Sequence, residues 1–251
     1  MDVKAYLNRI HIDNVHSVSL KALEKLQSHH MLHVPFENLD VIRNVPIILD
    51  VDAFYEKVVT RHRGGYCYEL NGLYYALLKR LGFSCKLVSA TVQKPDGTWA
   101  RKGSHACTIA DIDGEAYLTD VGFGDSARIP VPFNGEMRKD VSGAYRLEYV
   151  APNVYDLKWK YSSDDEWSTR LRIDTHPKDL QDFTEACKFN QTSPESPFTQ
   201  KDVVTLATAN GRITLSGNTL TTTYNGKKEQ KTIRNEDKPA VLKTHFEINI
   251  H

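Results

Sequence analysis

Two glycines followed by a cysteine and a helical leucine pattern are the sequence feature that most constrains this fold. Gly64 and Gly65 precede Cys67, and leucines then recur at helical spacing at positions 70, 73, 77 and 81. Gly82 stands where such a helix would end. The pattern predicts a helix that begins at Cys67 and buries one apolar stripe.

A cysteine in the first turn of a helix is well placed to act as a nucleophile. The free N–H groups and the positive end of the helix dipole favour an anion there. Arg61 and Arg63 act in the same direction, whereas Glu69 opposes ionisation, so the net effect stays open at this stage. A free cysteine is often only a small buried hydrophobe. The two preceding glycines favour the nucleophile, because glycines are usually kept for sharp turns or close approaches.

The overall composition is that of an ordinary globular protein with no excess of acidic or basic residues. The chain has 251 residues, of which 40% are hydrophobic and 25% charged, with 32 acidic and 32 basic side chains. Nothing in this balance indicates a nucleic acid or membrane partner. Residues 1–7 lack the pattern of a secretory signal. We therefore expect a cytoplasmic protein, whose oligomeric state the sequence leaves open.

The cysteine pattern predicts neither disulfides nor a metal site. The chain has four cysteines and no C-x-x-C pair. Reduced thiols are the expectation for a chain of this size without a secretory signal. His105 and Cys107 are two residues apart, but a structural zinc site needs paired ligands at short spacings, which are missing.

The first third of the chain has a helical pattern. We expect a short helix around residues 6–10 and a longer one that opens at Ser19. Pro35 ends regular structure and leaves Phe36 in a loop. Asp52 is the predicted cap of a helix that runs toward the glycine pair.

After Gly82 the pattern changes to the alternation that is typical of strands. Residues 85–92, 104–112 and 115–121 read as strands, and the hairpin signal Asp113 and Gly114 joins the last two. An antiparallel meander is therefore predicted. Further elements are expected as strands at 146–150, 155–161, 167–173, 203–208, 212–215 and 219–224, and as a helix at 177–189.

The register of this hairpin places a histidine beside an aspartate. If Asp113 and Gly114 form a two-residue turn, Cys107 lies opposite Asp120. His105 shares the face of Cys107, so His105 and Asp120 become diagonal neighbours, about 7–8 Å apart at Cα. A slip by one residue would separate them. The alternative interpretation is a pair that serves only the stability of the sheet.

Together Cys67, His105 and Asp120 supply a nucleophile, a base and an orienting carboxylate, as in cysteine proteases. The same order of residues also suits a cysteine hydrolase or a transglutaminase-like acyl transferase. A papain-like protease does not fit, since its histidine follows the cysteine by roughly 130 to 150 residues. A non-catalytic protein that binds aromatic ligands is the alternative from another class, because Phe123 stands between two glycines and could contact such a ligand.

The sequence resembles the arylamine N-acetyltransferases, and its compact length resembles their bacterial members. The similarity runs nearly end to end; its specific parts are the cysteine motif at 63–71 and the motif at 120–124, with support from residues 6–10, 34–39, 104–105 and 196–199. The resemblance implies an α+β fold in three parts. These are an N-terminal helical bundle at 1–83, a middle antiparallel β-barrel at 84–185 and a C-terminal α/β lid at 186–251.

The resemblance also implies an activity and a set of site residues. Acetyl-CoA would be the acetyl donor and an arylamine or arylhydrazine the acceptor, with no metal. Cys67, His105 and Asp120 correspond to the catalytic residues of the family. The remaining correspondences are contacts with the aromatic acceptor at Phe36 and Phe123, contacts with the cofactor at Gly103, Ser104 and Gly124, and a structural charged cluster at Arg9, Glu37 and Arg63.

Overall fold

The computed structural model describes residues 1–161 and 166–249. Its N-terminal region is helical, as the sequence predicts. A π-helical turn, Glu56–Thr60, continues the fourth helix toward the glycine pair. The helices of this region are α1 (Val3–Arg9), α2 (Leu20–His33), α3 (Leu39–Ile42), α4 (Val51–Tyr55) and α5 (Cys67–Arg80).

Side-chain caps fix where the second and fourth helices begin. Ser19 opens α2 by accepting a hydrogen bond from the N–H of Ala22, as expected. The prediction that Asp52 caps the next helix is wrong. Asp50 is the cap of α4, where its carboxylate accepts from the N–H of Ala53 at 2.9 Å. Asp52 lies inside the first turn and pairs with the N-terminal amine.

Helix α5 runs through the centre of the N-terminal core. Its predicted start at Cys67 is confirmed, and Gly82 follows its end with a φ of +89°, a conformation that suits glycine. The leucine stripe is buried at positions 70, 73, 77 and 78 against the neighbouring helices. Because α5 is buried on nearly all sides, the helix cannot rotate, and the orientation of its first residue, Cys67, is fixed.

The middle of the chain forms an eight-stranded antiparallel sheet that curls into a nearly closed barrel. Its strands are β2 (Ser84–Val92), β3 (His105–Ile112), β4 (Glu115–Thr119), β5 (Val131–Pro132), β6 (Arg138–Asp140), β7 (Gly143–Ala151), β8 (Val154–Tyr161) and β9 (Ser168–Asp174). Their order in the sheet is β5-β4-β3-β2-β9-β8-β7-β6. A separate apolar core, which includes Trp159 and Tyr145, fills the barrel.

The hairpin between β3 and β4 has the predicted register. Ile109 pairs with Leu118, and Thr108 pairs with Thr119. Asp113 and Gly114 both have positive φ values, 55° and 84°, as a two-residue hairpin turn of this kind requires. Strand β4 ends at Thr119, so Asp120 is the first residue beyond the ladder.

A second sheet pairs a short strand from the N-terminal region with four strands from the C-terminal region. Strand β1 (Phe36–Glu37) pairs antiparallel with the C-terminal strand that contains Thr205 and Val204. The prediction that Phe36 lies in a loop is therefore wrong, because a strand more than 160 residues away in the chain supplies its pairing partner. The other strands of this sheet are β10 (Val203–Thr208), β11 (Gly211–Ser216), β12 (Thr219–Tyr224) and β13 (Lys227–Thr232).

Two further helices lie in the C-terminal part of the chain. Helix α6 (Thr184–Thr192) begins later than predicted, because the carboxylate of Asp182 accepts from the N–H of Asp179 and stabilises a short 3₁₀ turn ahead of it. Helix α7 (Lys238–Phe246) packs Leu242 and Phe246 on the sheet. The proposed division at residues 83 and 185 stays a prediction. Within the described part of the chain, every helix is too short or too polar to cross a membrane.

Candidate active site

Close backbone packing sets the position of Cys67 at the start of α5. A Cβ atom added to Gly64 would lie 2.0 Å from the carbonyl oxygen of Pro35, and one on Gly65 would lie 2.9 Å from the Cβ of Glu69. The two glycines therefore let the chain pass tightly into the helix. Cys67 is buried, and its Sγ lies 4.0 Å from the carbonyl oxygen of Ser104.

His105 opens strand β3 next to this thiol and is hydrogen-bonded to Asp120. The Nε2 atom of His105 lies 2.8 Å from Oδ2 of Asp120, and both side chains are almost completely buried. Because Nε2 is engaged, Nδ1 is the ring nitrogen left for Cys67. The contact predicted from the hairpin register is present.

The electrostatics of the pair favour a charged imidazole. Burial acts to lower the pKa of His105, but the Asp120 carboxylate and contact with Cys67 outweigh it and raise this pKa to about 10. Burial likewise opposes the ionised form of Asp120. The charge of His105 and the hydrogen bonds to the carboxylate nonetheless hold the pKa of Asp120 below its usual value. Near neutral pH the two groups form an ion pair.

Asn71 completes the environment of the aspartate, a role that sequence analysis missed. Its Nδ2 donates to Oδ1 of Asp120 at 2.8 Å, and its Oδ1 accepts from the N–H of Val121 at 3.0 Å. The N–H of Gly122 donates to the same Oδ1 of Asp120 at 2.9 Å. Asn71 stands four residues after Cys67, one turn along the same face of α5. That spacing is the signal that could have revealed it.

A glycine lets the Asp120 segment approach the helix. A Cβ atom on Gly122 would lie 2.9 Å from the Cα of Cys67 and 2.6 Å from Nδ2 of Asn71. Any larger residue would push the carboxylate away from α5 or displace the thiol. Gly122 therefore sets the distance between the barrel and the nucleophile.

Aromatic rings pack against residues of the site and of its neighbouring loops. Phe123 packs edge-on against His105, with ring centroids 5.4 Å apart. Phe36 lies 6.1 Å from Phe198, and a Cβ on Gly124 would lie 3.2 Å from the ring of Phe36. The structure thus places both predicted aromatic residues in the neighbourhood of the site.

The residues expected to contact a cofactor lie on two loops beside the site. Gly103 and Gly124 have positive φ values, 69° and 83°, and Ser104 directly precedes His105. The hydroxyl of Ser104 accepts from the N–H of Val92, while its carbonyl oxygen faces Cys67 and accepts from the hydroxyl of Tyr68. Their role toward a cofactor stays a prediction.

Comparisons with known proteins agree with this arrangement. A sequence model of the N-acetyltransferase family matches residues 19–251. Arylamine N-acetyltransferase 1 of Homo sapiens and the pineal gland isozyme NAT-10 of Gallus gallus are each 30% identical over the whole chain and 95% of the relative. The solved arylamine N-acetyltransferase from Bacillus cereus is 30% identical, with a TM-score of 0.93 over both full chains.

The chain belongs to the arylamine N-acetyltransferase family. It is an enzyme that transfers acyl groups. The enzyme from M. tuberculosis is similar as well, at 29% identity and a TM-score of 0.91 over the whole chain and 94% of that structure. The Bacillus cereus relative is described as having a Cys-His-Glu triad. In the present arylamine N-acetyltransferase the carboxylate bound to the histidine is Asp120.

Beside the site, this arylamine N-acetyltransferase buries a charged network centred on Lys57. The ammonium lies 2.7 Å from Asp40 and 2.8 Å from Glu69, and Arg63 lies 2.6 Å from Glu37. The Glu69 carboxylate also accepts from the N–H of Tyr66 and so anchors the start of α5. These five residues are called the Lys57 network below.

The charged side chains around the start of α5 are paired with one another. Arg63 pairs with carboxylates of the network, and Arg61 pairs with Glu56 at the surface, so neither arginine is directed at the thiol. Glu69 is neutralised by Lys57. The expectation that groups Arg9 with Glu37 and Arg63 is wrong, because the Arg9 guanidinium instead donates to the carbonyls of His33 and Val58.

The other cysteines of this arylamine N-acetyltransferase are in environments that favour the neutral thiol. Burial raises the pKa of Cys85 and of Cys187 to about 11 and that of Cys107 well above its usual value. All four cysteines are free. Cys67 is the cysteine that combines a helix start with a neighbouring histidine.

Proposed function

We propose that the protein transfers an acetyl group from acetyl-CoA to the nitrogen of arylamines or arylhydrazines through an S-acetyl intermediate on Cys67. The observation that carries this proposal is the bonding of His105. Its Nε2 is held by Asp120, so its Nδ1 can exchange a proton at Cys67. The family supports acetyl transfer to arylamines as the overall reaction.

In the first half-reaction the Cys67 thiolate attacks the thioester carbonyl carbon of the donor. The carbon–sulfur bond to coenzyme A breaks, and the departing thiolate takes the proton from the His105 imidazolium. Cys67 becomes acetylated and His105 becomes neutral. The raised pKa of His105, about 10, supports this step, because it keeps the imidazole protonated beside the thiolate before the donor arrives.

In the second half-reaction the acceptor nitrogen attacks the acetyl carbon. The carbon–sulfur bond to Cys67 breaks, and His105 takes the proton that the amine releases. Arylamines suit this step because they are weak bases that stay unprotonated near neutral pH. The thiolate–imidazolium pair is restored, so both half-reactions use one site and the kinetics are ping-pong.

The surroundings of the thiol provide support for both substrates. Phe36 and Phe123 can contact the ring of the acceptor. We assign Gly103, Ser104 and Gly124 to the thioester end of the donor, and the 4.0 Å between the carbonyl oxygen of Ser104 and Sγ of Cys67 supports this assignment.

A cavity beside Gly124 fits the phosphate-bearing end of the donor. It has a volume of about 600 Å³ and is lined by Lys228, by three threonines and by Arg212, whose guanidinium is paired with the carboxylate of Asp125 in the same wall. Guanidinium, ammonium and hydroxyl groups are the donors that phosphates need. Arg212 also ties this cavity to the site, because it donates to the carbonyl of Gly124.

Intact mass after incubation with acetyl-CoA alone tests the proposal. We expect one added acetyl group, located on Cys67, and no added group on the Cys67→Ala variant. The adduct should persist without an acceptor and disappear when an arylamine is added. Rapid loss of the adduct in water alone would indicate a cysteine hydrolase, and the absence of any adduct would contradict the intermediate.

A further inference from the structure

Gln27 is a buried amide on helix α2, among side chains of this helix that are mostly apolar. Its exposed fraction is 1%, and Leu23 and Leu26 beside it are fully buried. An amide buried without partners would lose its hydrogen bonds to water, so a glutamine at such a position must gain them elsewhere. The Gln27 amide gains one at each end. Its Nε2 donates to the carbonyl oxygen of Ala127 at 2.6 Å, and its Oε1 accepts from the hydroxyl of Thr119 at 2.7 Å.

The two partners of this amide lie at the two ends of the loop that carries the orienting carboxylate. Thr119 is the last residue of β4, and Asp120 follows it directly. Ala127 is the first residue after the segment 120–126, which is called the 120–126 loop below. A single side chain therefore holds both ends of this loop, and it lies 92 and 100 residues earlier in the chain than its two partners.

Helix α2 also supports the 120–126 loop at a third point. The hydroxyl of Ser126 donates to the backbone carbonyl of Asp120 at 3.0 Å, and its oxygen lies 3.9 Å from the sulfur of Met31. Met31 follows Gln27 by four residues, so the two side chains share one face of α2. The loop residues form neither helix nor strand and include two glycines, whose backbone is the least restricted of all residues. Bonds from α2 therefore limit the movement of this loop.

The position of the loop matters because each oxygen of the Asp120 carboxylate has its own partner. Oδ2 lies 2.8 Å from Nε2 of His105, and Oδ1 accepts from Asn71 at 2.8 Å. Burial lowers the pKa of His105, but the charge of Asp120 and the contact with Cys67 outweigh it and raise this pKa to about 10. A displacement of about 1 Å in a catalytic site can cost on the order of 100-fold in rate. Asn71 holds the carboxylate from α5, and the amide on α2 holds the backbone on both sides of it.

We propose that Gln27 is a positioning residue for acetyl transfer, whose amide clamps both ends of the 120–126 loop and so keeps the Asp120 carboxylate bonded to His105. The inference rests on the proposed function, because it concerns the same site. Gln27 acts on Cys67 through the loop and then through the imidazole. An apolar side chain of the same length would fill this place in the core, but it would leave the carbonyl and the hydroxyl at the loop ends without their bond.

Three variants test the clamp. Gln27→Met keeps an unbranched side chain of similar length and removes both hydrogen bonds. Thr119→Val keeps the shape of threonine and removes one of them. Ser19→Ala is the matched control, because it weakens the same helix at its first turn, where Ser19 accepts from the N–H of Ala22.

Three quantities are measured for each variant. Intact mass in a single turnover gives the rate at which saturating acetyl-CoA acetylates Cys67. NMR titration of the imidazole ring proton gives the pKa of His105, and the spectrum of His105→Gln assigns the signal. The urea midpoint gives the stability. The rate and the pKa report on the site within folded molecules, whereas the midpoint also responds to a purely structural role.

Gln27→Met should lower the acetylation rate about 10- to 100-fold, as expected for a displaced catalytic carboxylate. It should also lower the pKa of His105 by about one unit, because a looser Asp120 stabilises the imidazolium less. Thr119→Val should show both changes at a smaller size, so it decides the question if Gln27→Met does not fold. The double variant should be no slower than Gln27→Met, because the two bonds belong to one clamp. Ser19→Ala should lower the urea midpoint and leave the rate and the pKa unchanged.

Three results would overturn the inference while leaving the proposed function intact. A native rate and a native His105 pKa in both Gln27→Met and Thr119→Val would make the amide a structural residue. Equal changes of rate and pKa in Ser19→Ala would assign the effect to the stability of α2. Losses that add in the double variant would show that the two residues act separately. Failure of the native protein to take up an acetyl group would instead contradict the proposed function, and the pKa of His105 would still show whether Gln27 positions Asp120.

Discussion

The His105–Asp120 pair and the Lys57 network are both buried clusters of charge, yet they are built differently. In the network, Lys57 and Arg63 are shared among three carboxylates, and every charge is met by an opposite one. In the pair, Asp120 occupies one nitrogen of His105 and the other nitrogen remains for Cys67. Burial of charge alone therefore does not identify a catalytic group. The distinguishing feature is a titratable atom left available beside a nucleophile.

The largest effect should come from Asp120→Asn, which removes the charge of the pair and keeps its shape. Asparagine can no longer stabilise the imidazolium, so acetyl transfer should fall steeply. The equivalent change in the serine-protease template costs about 10⁴ in rate, and we expect a loss of that order. Arylamine turnover and thermal melting of the variant are the measurements.

Asp40→Asn is the matched control for this prediction. Asp40 contacts Lys57 and Arg63 but not the site, so its change should lower the melting temperature and leave turnover of the folded enzyme within a few-fold of native. Native-like turnover in a folded Asp120→Asn protein would mean that another group orients His105.

Lys57→Met should produce the opposite profile, with a large loss of stability and little loss of chemistry. The variant leaves the buried carboxylates of Glu69 and Glu37 without their shared cation. Removing one member of a buried ion pair costs about 3 kcal/mol or more. Urea unfolding measures this loss, with the exposed Lys25→Met as control, which should stay within about 0.5 kcal/mol. If the turnover of each folded Lys57→Met molecule were as low as that of Asp120→Asn, the two clusters would not differ in function.

Thiol labelling should show, as a smaller effect, that the His105–Asp120 pair activates the cysteine beside it. Near neutral pH, iodoacetamide should modify Cys67 far faster than Cys85, Cys107 or Cys187, whose raised pKa values keep them neutral. His105→Gln should slow labelling of Cys67 at least about tenfold, because the thiolate loses its imidazolium. Mass mapping of the labelled peptides reads out each site. Equal labelling of all four thiols would contradict the ion pair.

The smallest expected effect is a difference between the native protein and His105→Gln in how their stability depends on pH. His105 has a pKa of about 10 in the folded protein, against about 6.5 when unfolded. The stability that its bound proton contributes is fully present below pH 6.5 and is lost as the pH rises through 10. The urea midpoint of the native protein should therefore fall more between pH 7 and pH 10 than that of His105→Gln. Parallel curves would show that His105 is not charged in the folded state.

Local patterns were enough to predict much of the fold and the central pair. The leucine stripe gave the start of α5, and Asp113 with Gly114 fixed the register that joins His105 to Asp120. These features depend on residues close in sequence, where turn and helix geometry are nearly determined. Ser19 was a correct helix cap for the same reason.

Features that depend on distant parts of the chain could not be predicted in this way. Phe36 becomes a strand residue because Thr205 pairs with it, and nothing near Phe36 indicates that partner. Lys57 has no local motif, and its three carboxylates come from different elements. Asp50 and Asp52 are both good caps in sequence, and only the path of the preceding chain decides between them.

The Asp113 and Gly114 turn has a consequence for protein engineering. An insertion there that shifts the β3–β4 register by one residue would turn Asp120 away from His105, so the enzyme could not accept such a peptide graft at this loop. Asn225 and Gly226 make a similar tight turn, with φ values of 47° and 78°, between β12 and β13 in the C-terminal sheet. β13 is an exposed edge strand, but Gly226 and Lys228 line the cavity assigned to the donor phosphates, so an insertion at this second hairpin would alter donor binding and leave the His105–Asp120 pair intact.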